Sequence, residues 1–520
     1  MTAPATGDIP AASTPRYAWY VLTVLVLVYV LNFIDRQILS ILAEDIKRDL
    51  HLTDADLGFL FGTAFGVFYA LFGIPLGRLA DNWHRVRLIT VGLAIWSAMT
   101  ALSGLARTGG QLAAARIGVG VGEATASPSA YSLISDYFPK GKRATALAIY
   151  SSGIYIGGGL SLGIGGAVVG RWNAAFPGGG PFGLVGWQAA FMAVGIPGLL
   201  VALWVSTLRE PIRGAADGIV TPASPSPFRD FLGELVAIIP PLTLIGAWQK
   251  GPRALLVNLA FAAFVAVAAA LLIAVTHTVP QWVAVAVGAY AVFSWASALR
   301  TRDRPTFQLI WGTPAFLYVA LGYGLISFVA YGVALWAAPY AERVLLQPKP
   351  LIGLYVGGGA ALGGFLGVVL GGRLADRWRR TNPAGRVLVI LIGAIGPIVP
   401  VIWAYTTPNV TLFYVLSFIA GGLASMALGA AAAQTQDLVL PRMRGTATAT
   451  FFISTTLVGL ALGPYLAGLI SSVTGSLRTG ILSMLAASPI SVFLLWRAYR
   501  TVPEAERTMI ERARAAGEPI

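Results

Sequence analysis

The stretch GRLADNWHR at 77–85 occurs again as GRLADRWRR at 372–380, and this repetition decides the fold. Seven of the nine positions are identical, at an offset of 295 residues. A second match in the same order aligns DYFPKGKRATA at 136–146 with DLVLPRMRGTA at 437–447. Two collinear matches predict a chain built from two similar halves that run in the same direction.

The composition places both halves in a membrane. Of the 520 residues, 56% are hydrophobic and only 11% are charged, whereas a soluble domain carries about 25% charged residues. The long apolar runs indicate membrane-spanning helices rather than a β-barrel. This composition excludes a cytosolic enzyme, a nucleic-acid binder and a disordered scaffold.

Fourteen apolar stretches of 18 or more residues fall into groups of six, two and six. They predict two six-helix halves, an inserted hairpin of two spans, and polar segments between them. The predicted organisation is a disordered cytoplasmic N-terminus at 1–17, an N-terminal half at 18–208, a cytoplasmic linker with an interfacial helix at 209–253, an extra transmembrane hairpin at 254–299, a cytoplasmic connector at 300–312, a C-terminal half at 313–500 and a cytoplasmic tail at 501–520.

The basic residues predict the orientation. With the N-terminus assigned to the cytoplasm, 27 of the 36 Lys and Arg residues lie on that side, and seven lie on the other. Positive residues accumulate on the cytoplasmic side of membrane proteins. We therefore expect a multi-pass protein of the inner (cytoplasmic) membrane with both termini in the cytoplasm. The net charge of +14 is then mainly a topology signal and not a nucleic-acid surface.

The repeated loop resembles the signature that follows the second helix in the major facilitator superfamily of transporters, roughly Gly-x-Leu-Ala-Asp-Arg-x-Gly-Arg-Arg. Gly77, Leu79, Ala80, Asp81 and Arg85 match it. The resemblance implies an all-α fold of two six-helix halves related by a pseudo-twofold axis, which transports by alternating access.

Two further stretches are similar to the Spinster-like branch of that superfamily: NFIDRQILSIL at 32–42 and RIGVGVGEA at 116–124. This similarity implies an amphipathic anionic substrate of the lysolipid or sphingoid type. Spinster-like proteins usually have twelve spans, so the hairpin at 254–299 is a departure from the branch.

Four charged residues fall inside predicted spans: Asp35 and Arg36 on the first, and Arg116 and Glu123 on the fourth. A charge in mid-bilayer costs about 3 kcal/mol or more, so such residues face the bundle interior and usually have a function. We expect Glu123 to be the main proton-carrying group and Asp35 the second, with Arg36 and Arg116 holding an anionic substrate group. A static ion-pair network that only sets helix packing is the alternative.

The matching helices of the C-terminal half carry no charge. Their candidates for the wall of the cavity are Tyr323, Tyr331, Trp336 and Gln434. Aromatic and Gln residues on a helix more often pack against neighbouring helices, and that packing role is the alternative.

The repeated loops predict a cytoplasmic gate. By resemblance, its charges hold the cytoplasmic side closed in the outward-open state and separate when that side opens. The residues concerned are Gly77, Asp81, Arg85, Asp136, Arg143, Asp376, Arg377, Asp437 and Arg444. Single charges that interact with helix dipoles and water are the alternative.

These observations predict a secondary active transporter, proton-coupled, for an amphipathic anionic substrate. A carrier of a small organic anion or a drug is the alternative, and a channel or a membrane enzyme is disfavoured. The chain has no Cys and three His, so we expect no metal and no cofactor. The expected partners are a small-molecule or lipid substrate, protons and the bilayer, with no nucleic acid and a monomeric chain.

Overall fold

A computed structural model describes residues 16–213 and 225–519, and this part of the chain is helical without β-strands. Residues 1–15 of the predicted disordered N-terminus (1–17) and the middle of the linker, 214–224, lie outside the described residues, whereas residues 16 and 17 belong to the first helix. The N-terminal half contains α1 (Arg16–Asp49), α2 (Asp54–Asn82), α3 (Arg85–Ser103), α4 (Gly109–Glu123), α5 (Ala126–Tyr137), α6 (Lys140–Ala175) and α7 (Gly186–Ser206).

The insert and the C-terminal half follow in chain order. The insert consists of α8 (Pro227–Ile238), α9 (Thr243–Gln249), α10 (Pro252–Thr276) and α11 (Val279–Arg302). The short α12 (Arg304–Ile310) connects it to the C-terminal half. The C-terminal half contains α13 (Pro314–Arg343), α14 (Lys349–Arg379), α15 (Gly385–Thr406), α16 (Val410–Asp437), α17 (Pro441–Thr474) and α18 (Leu477–Arg507), and α19 (Met509–Ala515) ends the tail.

The predicted arrangement of six, two and six spans is confirmed. In the described part of the chain, thirteen helices are long and apolar enough to cross a membrane. The remaining predicted span, 111–136, is divided between α4 and α5, which are 15 and 12 residues long. The helices at 227–249 break beside the predicted Pro240-Pro241 interruption, where α8 and α9 form a bend of 91°. Their position at a membrane interface stays a prediction.

The two halves meet through glycines that the sequence repeat relates to each other. A Cβ atom on Gly62 of α2 would lie 2.2 Å from the Leu460 carbonyl oxygen on α17, and one on Gly357 of α14 would lie 2.6 Å from the Gly159 carbonyl oxygen on α6. Backbones can approach this closely only where a side chain is absent. The pairs α2–α17 and α14–α6 are therefore the two seams between the halves.

Each seam also carries π-helical turns: Phe59–Thr63 in α2, Gly353–Gly357 in α14 and Thr455–Leu460 in α17. Such turns are rare and collect at functional positions, because they widen the helix and rotate the residues that follow. The turns in α2 and α14 occupy equivalent places in the repeat, as a pseudo-twofold relation requires.

The halves are joined firmly at one end. We call this the closed end; it contains the ends of α1 and α13 at Asp49 and Arg343. The opposite end, which carries the repeats at 77–85 and 372–380, is called the motif end. The first apolar stretch predicts a span at 18–40, and α1 continues nine residues beyond it, to Asp49. Its extra turns carry charges that reach partners in the other half.

We expect Gly357→Ala to destabilise the protein by about 1–3 kcal/mol, because the new methyl group would overlap the Gly159 carbonyl. Gly358→Ala is the matched control in the next position, since a Cβ there meets nothing within 4 Å. Thermal unfolding of both variants in detergent micelles tests this expectation. Equal melting temperatures for the two variants would contradict the close approach of α14 to α6.

Candidate functional site

The four charged residues predicted inside spans come together in the N-terminal half. Asp35 and Arg36 on α1 are 2% and 6% exposed, and Arg116 and Glu123 on α4 are each 1% exposed. Two acids and two bases therefore share one enclosed region, as a nearly neutral set.

Arg36 and Glu123 form the direct ion pair of this region. The Arg36 Nη2 donates to the Glu123 Oε2 over 2.8 Å. Three aromatic rings surround the same guanidinium, with its central carbon 4.7 Å from the ring centroid of Phe33, 4.5 Å from that of Phe65 and 4.9 Å from that of Tyr69. Cation–π contacts of this kind strengthen when water is excluded, so Arg36 is held by a carboxylate and a cage of rings.

Arg116 and Asp35 are joined differently. The Arg116 Nη1 donates to the main-chain oxygen of Asp35 over 3.1 Å, and not to its carboxylate. Each of the four charged residues has a buried atom without a hydrogen-bond partner among the described residues: the Asp35 Oδ1, the Arg36 Nε, the Arg116 Nε and Nη2, and the Glu123 Oε1. Buried polar atoms normally have partners. A site that exchanges a proton or a ligand requires such unpaired polar atoms, and here they belong to four charged groups.

The break between α4 and α5 positions Glu123. It is the last residue of α4, and the Thr125 hydroxyl donates to the Gly122 carbonyl over 2.8 Å at the break. A Cβ on Gly92 of α3 would lie 1.9 Å from the Thr125 hydroxyl oxygen. The glycine in α3 thus leaves room for the interruption that turns Glu123 toward α1.

The structure brings one of the four C-terminal candidates to this cluster. Tyr331 is half-buried and within electrostatic range of Arg36. Tyr323 is buried against Phe451, with ring centroids 5.1 Å apart.

Two candidates lie elsewhere. The Trp336 indole N–H donates to the Pro464 carbonyl over 2.9 Å, in a contact between α13 and α17. Gln434 is fully buried near the motif end, where its side-chain amide donates to Glu506 over 2.8 Å. The sequence could not distinguish these packing positions from cavity positions, because all four residues lie on apolar helices.

The predicted gate residues form two similar clusters, one in each half. In the first, Arg85 bonds to Asp136 and, over 2.7 Å, to Glu210. In the second, Arg386 bonds to Asp437 and lies 3.6 Å from Asp376. Asp136, Asp376 and Asp437 are thus paired within their own half. The partners Glu210 and Arg386 were missed, because neither belongs to a repeated motif.

The other gate residues line the motif end. Asp81, Arg377 and Arg444 are exposed, and Arg143 donates to the Ser135 carbonyl over 2.7 Å. A Cβ on Gly77 would meet only the ring of Pro128, at 4.0 Å. Their role in holding that end closed in another state stays a prediction.

A network that the sequence analysis missed joins the halves at the closed end. Arg343 of α13 bonds to Glu44 over 2.6 Å and to Asp54 over 2.7 Å, and Lys349 of α14 bonds to Asp45 over 2.7 Å. Among the described residues, these are the ion pairs that connect the N-terminal half to the C-terminal half. The sequence shows a cluster of acids at 44–56 and bases at 343 and 349. Their pairing could not be predicted, because they lie about 300 residues apart in the chain.

The fold and the site together define the family. The family model described as Major Facilitator Superfamily matches residues 25–347 and 344–520. The chain therefore belongs to the Major Facilitator Superfamily and is a multi-pass membrane transporter of the Spinster-like type.

Individual relatives share sequence over most of the chain. An MFS-type efflux pump of Mycolicibacterium smegmatis is 27% identical over 513 residues, which cover 96% of each chain. Protein spinster homolog 1 of Xenopus tropicalis is 26% identical over 88% of this chain and 73% of its own. A solved bacterial homologue of the human lysosomal transporter Spinster, in an inward-facing and unoccupied conformation, superposes with a TM-score of 0.69 at 27% identity, covering 96% of this chain and 99% of its own.

We expect Arg36→Met and Glu123→Gln to show strong energetic coupling, because either change alone leaves a buried group without its partner. Each single change is expected to destabilise the protein by about 3–5 kcal/mol, and the double change by clearly less than their sum. Unfolding in detergent micelles measures the cycle. The exposed pair Arg507 and Glu504 is the control, with an expected coupling of about 0.5 kcal/mol or less. Additive effects at 36 and 123 would show that the two residues do not interact.

We expect Arg343→Ala to loosen the closed end, because it removes the bonds to both Glu44 and Asp54. The reporter is Thr63→Cys, at a buried position on α2 whose hydroxyl donates to the Ala461 carbonyl on α17. Its reaction with a charged thiol reagent should accelerate in the Arg343→Ala background. Arg478→Ala, at an exposed position of the same end, should leave the rate unchanged. Equal rates in both backgrounds would show that Arg343 does not hold this end closed.

Proposed function

We propose that this chain is a proton-coupled secondary transporter that moves an amphipathic anionic substrate of the lysolipid or sphingoid type. The observation that carries the proposal is the enclosed Arg36–Glu123 pair, together with the unsatisfied atoms of Asp35 and Arg116. A static ion-pair network would also bury these charges. A proton or an anionic ligand that binds and leaves makes use of the polar atoms that have no partner.

The coupling step follows from the charges. An anionic substrate group that reaches Arg36 competes with Glu123 for the same guanidinium. Once its cationic partner is taken, a buried carboxylate is stabilised by binding a proton. Substrate binding and protonation of Glu123 are then linked, and departure of the substrate lets Arg36 return and release the proton. Asp35 is the second proton acceptor, because Arg116 bonds to its main-chain oxygen and leaves the Oδ1 of its buried carboxylate without a hydrogen bond.

The asymmetry of the cavity supports the substrate class. The charges lie on α1 and α4, while the facing α13 contributes Tyr331 and apolar residues. An amphipathic anion matches this division, with its headgroup at Arg36 and its apolar body toward the C-terminal half. The similarity to proteins named spinster over 88% of the chain supports the same class.

The proposed setting is the inner membrane with the motif end in the cytoplasm, because the basic residues concentrate there. The closed end, with its ion pairs between the halves, then lies on the opposite side of the membrane from the cytoplasm. Opening toward the other side requires the Arg343 and Lys349 pairs to separate while the motif end closes.

A second candidate is export of a drug or a small organic anion. The full-length similarity to a protein named as an efflux pump favours it. The aromatic rings around Arg36 would also accept a compact aromatic anion.

The test is proton flux in proteoliposomes that contain the purified chain, with lysophosphatidate, lysophosphatidylcholine, a sugar and galactarate offered in turn. We expect saturable proton movement with lysophosphatidate. We expect Glu123→Gln to abolish it, because the amide cannot carry the proton, while substrate exchange persists at a reduced rate.

The control for that experiment is Glu511→Gln, at an exposed acid of the tail, which should behave like the unaltered chain. Melting temperatures separate misfolding from loss of coupling. Proton flux that survives in Glu123→Gln with unchanged pH dependence would remove Glu123 from the coupling role. Saturable flux with galactarate alone would replace the lysolipid assignment with the small-anion one.

A further inference from the structure

We propose that the inserted segment, 227–302, closes the α2–α17 seam of the cavity toward the bilayer, so that an amphipathic substrate passes between bilayer and cavity through the α6–α14 seam. This inference rests on the proposed function, because only a substrate that dissolves in the bilayer needs a lateral route. The pseudo-twofold relation would otherwise make the two seams equivalent. The insert is present at one of them only.

At the closed end, the insert is bonded to α17. Thr278 and the Tyr465 hydroxyl share a hydrogen bond. The side-chain amide of Gln281 donates to the Ala461 carbonyl over 3.3 Å, and the Trp282 ring meets the Tyr465 ring edge-on at 5.6 Å. Ala55 of α2 packs into the same cluster. The tip of the hairpin therefore covers the seam from both of its sides.

At mid-height, α11 presents a glycine to the seam. A Cβ on Gly288 would lie 3.1 Å from Leu457 of α17 and 3.3 Å from Val67 of α2. The helix backbone thus sits between the two halves, in contact with both. Rocking motions displace the halves least near their middle, so a contact to both halves can persist there.

Toward the motif end, the insert fills the space where the seam would widen. Ile238 and Trp295 pack with Leu71 of α2 and Ile453 of α17. The cavity left among these helices has a volume of only about 10 Å³, which is too small for an acyl chain.

The helix α8 anchors this part to α2. The side-chain amide of Asn82 donates to Asp230 over 3.2 Å, and the rings of Trp83 and Phe228 lie 5.1 Å apart. Arg302 bonds to Glu234 over 2.8 Å and so ties α11 to α8. The insert is therefore attached to α17 at one end and to α2 at the other.

The α6–α14 seam has no such cover among the described residues. Its glycine contacts run from Gly166 and Lys349 at the closed end to Tyr155 and Gly364 at mid-height. Ala148 lies seven residues before Tyr155, hence on the same face of α6, and it is exposed. The seam therefore opens below Tyr155, whose ring lies against Gly364 of α14.

The outer helix of the insert faces the bilayer. Only 6% of the residues in the most apolar stretch of α10 are buried. The hairpin thus presents one helix to lipid and the other to the seam, as a lateral cover in a membrane must.

The first experiment tests the cover without any substrate. The chain contains no Cys, so a nitroxide label on Ala70→Cys or Ala148→Cys reports one site. Ala70 lines the filled crevice beneath the insert. In phosphatidylcholine vesicles, we expect collision with oxygen, which partitions into the bilayer, to be several-fold more frequent at 148 than at 70.

A wedge variant sharpens this comparison. Gly288→Leu should push the insert away from Val67 and Leu457 and raise the oxygen accessibility at 70 toward that at 148. Gly246→Leu is the matched control within the insert, because a Cβ there meets nothing within 4 Å. Equal accessibility at 70 and 148 in the otherwise unaltered chain would overturn the proposal.

The second experiment tests the route, with uptake of lysophosphatidate into proteoliposomes. We expect Ala148→Trp to slow uptake several-fold by filling the open seam. Ile149→Trp, at the neighbouring exposed position, should not. Adding Gly288→Leu to Ala148→Trp should restore uptake by opening the second seam.

The two experiments fail in different ways. A chain that shows the expected oxygen accessibilities but moves no lysophosphatidate would refute the proposed substrate class and leave the cover intact. Uptake that Ala148→Trp leaves unchanged, in a chain that transports lysophosphatidate, would overturn the assigned route.

Discussion

The buried ion pair between Arg36 and Glu123 is the central constraint on the N-terminal half. Two charges in the middle of a membrane protein are tolerated only where they pair with each other or line a water-filled cavity, because desolvation of an unpaired charge is costly. The pair fixes α1 against α4, and the interruption after Glu123 exists to present that carboxylate. The rings around Arg36 complete an environment in which removing one partner changes the charge state of the other.

Closure of the two halves depends on a different kind of contact. Glycines on α2 and α14 let the backbones touch at the seams, and the bonds of Arg343 and Lys349 add charge pairing at one end. In lipid, the hydrophobic effect does not drive helices together, so their association depends on close packing and on polar contacts. A few charged pairs at the edge of the bilayer can therefore decide which end is closed, and they can exchange as the halves rock.

The insert adds to this family architecture without altering its core. Its contacts fall on one seam, so it makes the two sides of the bundle unequal although the repeat makes them equivalent. A water-soluble substrate needs no lateral entrance. For a substrate that arrives from the bilayer, the inequality selects one entrance, which connects the proposed chemistry of the cavity to the most unusual feature of the chain.

The membrane class and the two-half fold could be predicted from the sequence, because hydropathy and repetition are local properties. The four intramembrane charges could be predicted too, because a charge within an apolar run is visible without coordinates. Tertiary structure decided the pairings. Three questions depend on helix rotation and on contacts between residues far apart in the sequence. They are whether Glu123 meets Arg36 or Arg116, whether Gln434 lines the cavity or packs on Glu506, and which acids bond to Arg343. The same limit concealed the role of the hairpin, since its apolar pattern fits lipid on every face and only packing shows the seam it covers.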